Sequence, residues 1–139
     1  MMSGENILVV DDEVKIVEIV SNFLTMHGFS VKKTYDGQEA LNVLLEGTPI
    51  DLILLDEKMP VMSGSTLLRE MKKLKIDIPV IILTGSIALP QVLQSNKSLC
   101  EHVFVKPIRL SELLELVNKV LDSGTGKRSR GPEKENKRP

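Results

Sequence analysis

No apolar run in this sequence approaches the ~20 residues that a membrane-spanning helix requires, so no span and no membrane partner are expected. Cysteine is nearly absent. Its one thiol, Cys100, excludes an internal disulfide, and with no Cys or His at ligand spacing around it the residue makes no metal motif; a small buried or half-buried thiol is expected. The opening MMSGENILVV has no basic segment followed by a long apolar block and a cleavage site, so no secretory signal is read and the cytoplasm is the expected location. No internal repeat is present.

The chain has 139 residues, 42% hydrophobic and 27% charged, which suits one soluble globular domain with a proper core. Its net charge of −1 hides an asymmetry. Residues 123–139 hold six Lys or Arg against two Glu, a balance of +4, while residues 1–122 hold 12 basic and 17 acidic side chains, a balance of −5. The tail consists of Gly, Pro, Ser, Thr, Asn and charge, without an apolar residue to bury, and is expected to be disordered. It has no aromatics and no folded platform, and seventeen residues hold no helix-turn-helix domain, so direct nucleic-acid binding is not expected. The expected organisation is a domain over residues 1–122 and a basic tail over residues 123–139.

Within that domain, strand and helix patterns alternate. Residues 7–10, 52–55, 80–83 and 103–105 are continuous apolar runs rather than alternating ones, as in strands covered on both faces. Val31 centres a weaker candidate strand between Gly28 and Asp36. Four helical stripes lie between or after them: Ile16, Val17, Val20, Phe23 and Leu24; Ala40, Leu41, Leu44 and Leu45; Leu67, Leu68, Met71 and Leu74; Leu110, Leu113, Leu114, Val117 and Leu121. Ser63 and Ser111 are candidate N-caps. Residues 87–98 make the sparsest helical pattern, which Pro90 limits to starting near that position. Five strands and up to five helices in alternation predict a doubly wound α/β domain with a parallel sheet.

In such a sheet the site lies beyond the carboxyl ends of the strands, at the point where strand order reverses. There the sequence places Asp11 and Asp12 after ILVV, Asp56 after LILL, Thr84 after IIL and Lys106 after VFV. Singly, each has a structural explanation: an acid capping a helix, a strand-end threonine, a surface lysine before a terminating proline. Together on one rim they do not. Like charges ~4 Å apart repel by ~1 to 4 kcal/mol, so a cation belongs among the three carboxylates, and magnesium, which takes one or two carboxylates with water and phosphate oxygens, is the simplest candidate. Asp12 and Asp56 are its expected ligands, with Asp11 acting nearby or through water. A carboxylate can also accept a phosphoryl group; Lys106 would supply a point charge and Thr84 a hydroxyl to its oxygens.

The segments VVDDE at residues 9–13, LLDEKMPVMSG at 54–64, ILTG at 82–85 and VKP at 105–107 resemble, in order and approximate spacing, the four signature blocks of two-component response-regulator receiver domains. The likeness covers about residues 5–122. It implies a CheY-like, flavodoxin-like fold with a five-stranded sheet of order 2-1-3-4-5. It further implies that Asp56 takes a phosphoryl group from a sensor histidine kinase or histidine phosphotransfer protein, with Mg2+ held by Asp11, Asp12, Asp56 and the backbone carbonyl of Lys58. Thr84 matches the switch hydroxyl, Lys106 the phosphate-binding lysine, and the bond before Pro107 is cis by the same analogy. The implied protein is a signalling domain that catalyses its own phosphorylation and dephosphorylation. It would report to an output protein that the sequence does not name, as a monomer or weak homodimer.

Two features depart from the family pattern. Val103 stands where an aromatic is usual three residues before the lysine, with Phe104 on the opposite strand face, and Leu99, Cys100, Glu101 and His102 replace the usual Gly-Ala pair. Lys58, two residues beyond the acceptor, is expected at the site mouth, where its ammonium would shield an acyl phosphate from water. His27 and His102 are weak phosphodonor candidates, since neither stands on an exposed helical bundle. Rival readings are less economical. A flavodoxin-like electron carrier would bring a phosphate against Asp11, Asp12 and Glu13, and a haloacid-dehalogenase-type phosphatase needs its nucleophile in a D-x-D pattern after the first strand. A docking module that never turns over phosphate leaves the full constellation unexplained.

Overall fold

Aliphatic residues in unbroken runs suit strands with both faces covered, and the runs at residues 7–10, 52–55 and 80–83 are used in this way. In the run at 103–105, Val103 and Val105 are exposed, contrary to expectation. A computed structural model describes residues 4–85 and 102–124. Its elements are β1 (Asn6–Val10), α1 (Val14–Met26), β2 (Ser30–Thr34), α2 (Gly37–Leu45), β3 (Leu52–Asp56), α3 (Gly64–Lys73), β4 (Val80–Thr84), β5 (His102–Val105) and α4 (Leu110–Gly124). The five strands pair in parallel in the order β2-β1-β3-β4-β5, as the resemblance implies. The helix expected within residues 87–98, Cys100, and most of the basic tail lie outside the described residues. Helix α4 runs to Gly124, past the expected domain end at residue 122.

The period of two along each strand divides the core into two layers. Ile7, Val9, Leu52, Leu54, Ile81 and Leu83 face α1 and α4, where Val17, Val20, Leu24, Leu113 and Val117 meet them. Leu8, Val10, Ile53, Leu55, Val80 and Ile82 face α2 and α3, against Ala40, Leu41, Leu67, Leu68 and Met71. In β5, Phe104 packs against the first layer, whereas Val103 and Val105 are exposed. The ring of Phe104 thus lies on the other side of the strand from the position whose aromatic is missing.

Most of the apolar stripes are buried as expected, with three corrections. Leu45 is exposed and Val43 is buried instead. The buried arc of α2 is centred between Ala40 and Leu44, so Val43 closes one border while Leu45 falls beyond the other. Leu74 is exposed because it caps α3, where the backbone has already left the helix. Ser111 is not an N-cap: the carbonyl of Arg109 accepts the Leu113 N–H at 2.9 Å, and Ser111 lies inside the helix. Ser63 caps α3 as expected, its hydroxyl accepting the Thr66 N–H at 3.2 Å. At the start of α2, Asp36 accepts the Glu39 N–H at 2.8 Å while the Glu39 carboxylate accepts the Tyr35 N–H at 2.7 Å.

Helices α1 and α3 end alike but with different residues. After α1, Gly28 (φ 94°) donates to Thr25 and Phe29 to Leu24; after α3, Lys75 (φ 61°) donates to Lys72 and Ile76 to Met71. Both are Schellman turns, which need a left-handed residue that glycine occupies without steric cost. An L side chain there costs about 1 kcal/mol. Lys75→Gly is therefore expected to raise the unfolding free energy by about 1 kcal/mol in urea titration, and an unchanged or lower value would refute the assignment.

Candidate functional site

Parallel pairing aligns the carboxyl ends of β1, β3, β4 and β5 on one rim. The carbonyl of Thr84 accepts the Lys106 N–H at 2.7 Å, and that of Leu83 accepts the Glu57 N–H at 3.1 Å, so the ends of β3, β4 and β5 are tied together. Beyond β1, the Asp11 carboxylate accepts the backbone N–H of Glu13 at 3.0 Å, which fixes the turn into α1. Asp11 is wholly buried, Asp56 is 5% exposed, Thr84 is buried and Asp12 is exposed. The Lys106–Pro107 bond is cis.

Carboxylate oxygens of Asp11, Asp12 and Asp56 lie within 4.8 Å of one another, the one such cluster among the described residues. The Lys106 ammonium reaches into it, 3.1 Å from Asp56 Oδ1, 3.4 Å from Asp11 Oδ2 and 3.6 Å from Glu13 Oε1. One fixed cation therefore faces four carboxylates. Burial pushes the Asp56 carboxyl up to about 6, Asp11 and Asp12 add to the rise, and Lys106 opposes it. Asp11 is also raised, by burial against the opposing Glu13 N–H and Lys106. For Lys106, burial lowers the affinity for its proton, but Asp11 and Asp56 outweigh it and the ammonium is held above its usual range. An all-oxygen donor set with unbalanced negative charge fits a hard divalent cation such as Mg2+; Asp11, Asp12 and Asp56 are the side chains available to hold it.

The residues expected at strand ends therefore share this rim: the side chains of Asp11, Asp12, Asp56 and Lys106 meet, and Thr84 ends β4 beside Lys106. Lys58 follows in the loop between β3 and α3, with its side chain exposed. That loop carries a feature sequence reading did not anticipate. Glu57 points inward and is only 8% exposed, and Ser65 donates its hydroxyl to Oε2 at 3.2 Å. Burial raises the Glu57 carboxyl, while the hydroxyl and backbone N–H of Ser65 work the other way. Glu13 was likewise missed as a partner of Lys106. Neither residue type nor spacing separates Glu57 from an ordinary surface glutamate; Gly64 is the one signal, since a Cβ there would come 2.6 Å from the Asp56 carbonyl and 3.2 Å from Glu57 Oε1.

The family described as the response regulator receiver domain matches residues 7–118. Response regulator SaeR of Staphylococcus aureus strain USA300 is 33% identical over 116 residues, which cover 84% of this chain and 50% of SaeR. The chain thus spans about half the length of the Staphylococcus relatives it matches. Among solved structures, a CheY-like receiver domain protein from Methanospirillum hungatei superposes with a TM-score of 0.81 at 28% identity, covering 90% of this chain and 99% of that one. TrrA from Thermotoga maritima, solved in complex with Mg2+ and BeF, gives 0.71 at 33% identity, covering 83% and 97%.

The raised Asp56 gives a pH signature in metal-free protein. Its folded pKa of about 6 lies above the ordinary 3.8, so between these values the folded state binds more protons than the unfolded state. The contribution is fully stabilising below the lower value and is lost as pH rises through the upper one. With chelator present, the parent is expected to lose stability relative to Asp56→Asn from about pH 4 to about pH 7, by on the order of 3 kcal/mol in denaturant titrations. A constant difference across that range would refute it.

Proposed function

The chain belongs to the response-regulator receiver-domain family of two-component systems, and from that premise we propose that Asp56 is its phosphoryl acceptor, supplied by a sensor histidine kinase or a histidine phosphotransfer protein. The observation that carries this reading is the geometry around Asp56: a buried carboxylate with a lysine ammonium at 3.1 Å and two further carboxylates beside it. An ionised Asp56 oxygen attacks the phosphorus of a phosphohistidine; the P–N bond breaks and its electron pair stays on the imidazole nitrogen, leaving an acyl phosphate on Asp56. At neutral pH a group titrating near 6 is mostly ionised and available for attack.

The remaining residues have separate roles. Lys106 holds its charge throughout and compensates the phosphoryl oxygens, exchanging part of its pairing with Asp56 for pairing with phosphate. Thr84, next to it through the Lys106 N–H, supplies a hydroxyl to the same group. Asp11, Asp12, Asp56 and the Lys58 carbonyl would hold Mg2+. When bound, Mg2+ neutralises charge on the carboxylates and on the transferring group.

The output is a change in protein–protein contacts when Asp56 is modified, with Thr84 as the link between site and surface. Val103, exposed on β5, offers no ring to follow Thr84, so transmission depends on the backbone tie between Thr84 and Lys106 and on the face beside β5.

Incubation with Mg2+ and a small acyl phosphate donor is expected to add one phosphoryl group by intact mass. The adduct should be absent in Asp56→Asn and without Mg2+, and Lys106→Ala should reduce its rate of formation by at least tenfold. No adduct on the parent would instead favour a docking module, and a full adduct on Asp56→Asn would move the acceptor elsewhere.

A further inference from the structure

The least economical feature of the described structure is the carboxylate of Glu57. It is more than nine-tenths buried, and Oε1 has no hydrogen-bond partner among the described residues. A buried carboxylate with an unsatisfied oxygen costs stability, and an exposed rotamer would avoid that cost. Its inward position therefore calls for a gain elsewhere.

Its contacts show where that gain lies. Ser65 offers both its hydroxyl and its backbone N–H to Glu57, and the Ser65 hydroxyl is 3.2 Å from that of Ser63, the N-cap of α3. The Gly64 N–H donates to the Glu57 carbonyl at 2.9 Å, so main chain and side chain of Glu57 are both fastened to the first turn of α3. The loop they close contains Lys58, and its tip holds Val61 at φ 69°, a conformation that a β-branched residue adopts only under constraint. Left to local preference, the loop would relax away from this shape.

We propose that Glu57 is a positioning residue: by clamping α3 through Ser65 it holds the loop between β3 and α3 in the shape that presents the Lys58 carbonyl to the cation site. The inference rests on the proposed reading of Asp11, Asp12, Asp56 and the Lys58 carbonyl as that site. Groups that orient a ligand from one bond away change metal affinity by about 10- to 100-fold when removed. Glu57 acts a step further out, through Ser65 and the first turn of α3, so an effect at the lower end of that range is expected.

The test is calorimetric titration of purified protein with Mg2+, without phosphodonor, alongside thermal melting. Glu57→Met should weaken Mg2+ binding by about tenfold. Glu57→Gln, whose amide oxygen still accepts from Ser65, should stay within about threefold of the parent, and Ser65→Ala should reproduce much of the Met variant's loss. Adding Ser65→Ala to Glu57→Met should cost little more, because the clamp is already open. If Glu57→Met does not fold, Ser65→Ala is read against the parent in the same way. Mg2+ affinity within twofold of the parent in Glu57→Met or Ser65→Ala, whatever the melting temperature, would overturn the proposal. Absence of Mg2+ binding by the parent would instead overturn the site assignment on which it rests.

Discussion

One electrostatic imbalance organises this protein: Lys106 faces Asp11, Asp56 and Glu13 at 3.1 to 3.6 Å, with Asp12 joining the carboxylate cluster. Two like charges ~4 Å apart repel by ~1 to 4 kcal/mol, and burial of Asp11 and Asp56 removes the water that would otherwise screen them. The fold accepts this cost at its rim while the rest of the described core is closely packed aliphatic side chains. A cation would relieve that repulsion, and under the proposed function the Lys106 ammonium would face the oxygens of a phosphoryl group on Asp56. The raised Asp56 and the raised Lys106 are two sides of the same arrangement.

The sheet makes the imbalance possible. Parallel strands bring their carboxyl ends to one side, and four strands drawn from distant parts of the chain contribute Asp11, Asp56, Thr84 and Lys106 without any helix having to bend toward the site. Two apolar layers hold β1, β3 and β4, and Phe104 anchors β5 on one of them, so the strand ends are placed by the core rather than by the charges that repel one another. Loops do the finer work: the Glu13 N–H orients Asp11, and the segment after Asp56 is fastened at Gly64 and Ser65.

Strand runs and most helix stripes were legible in the sequence because their signals are periodic and local: Leu52, Ile53, Leu54 and Leu55 alternate between two layers, and both layers are apolar. The rim residues were legible because charged and hydroxyl side chains directly after such runs have few structural uses. Less legible were features set by three-dimensional closure. Ser111 resembles a cap, but the chain enters α4 from Pro107 with Ile108 packed on the core, and the first helical bond falls to Arg109. Leu45 fits an apolar stripe, yet the arc that meets the sheet ends before it. Glu57 reads as a surface acid until the approach of Gly64 to the Asp56 carbonyl shows how tightly the loop is drawn in.

The most direct measurement of the central electrostatic claim is the titration of the Asp56 side-chain carboxyl carbon by NMR, in metal-free protein and again with saturating Mg2+. A buried carboxyl among like charges is expected to titrate near 6 without metal and to move to lower pH once the cation is bound. A midpoint near the ordinary 3.8 without metal, or one that Mg2+ does not shift, would contradict the view that this rim is an anionic pocket awaiting a cation.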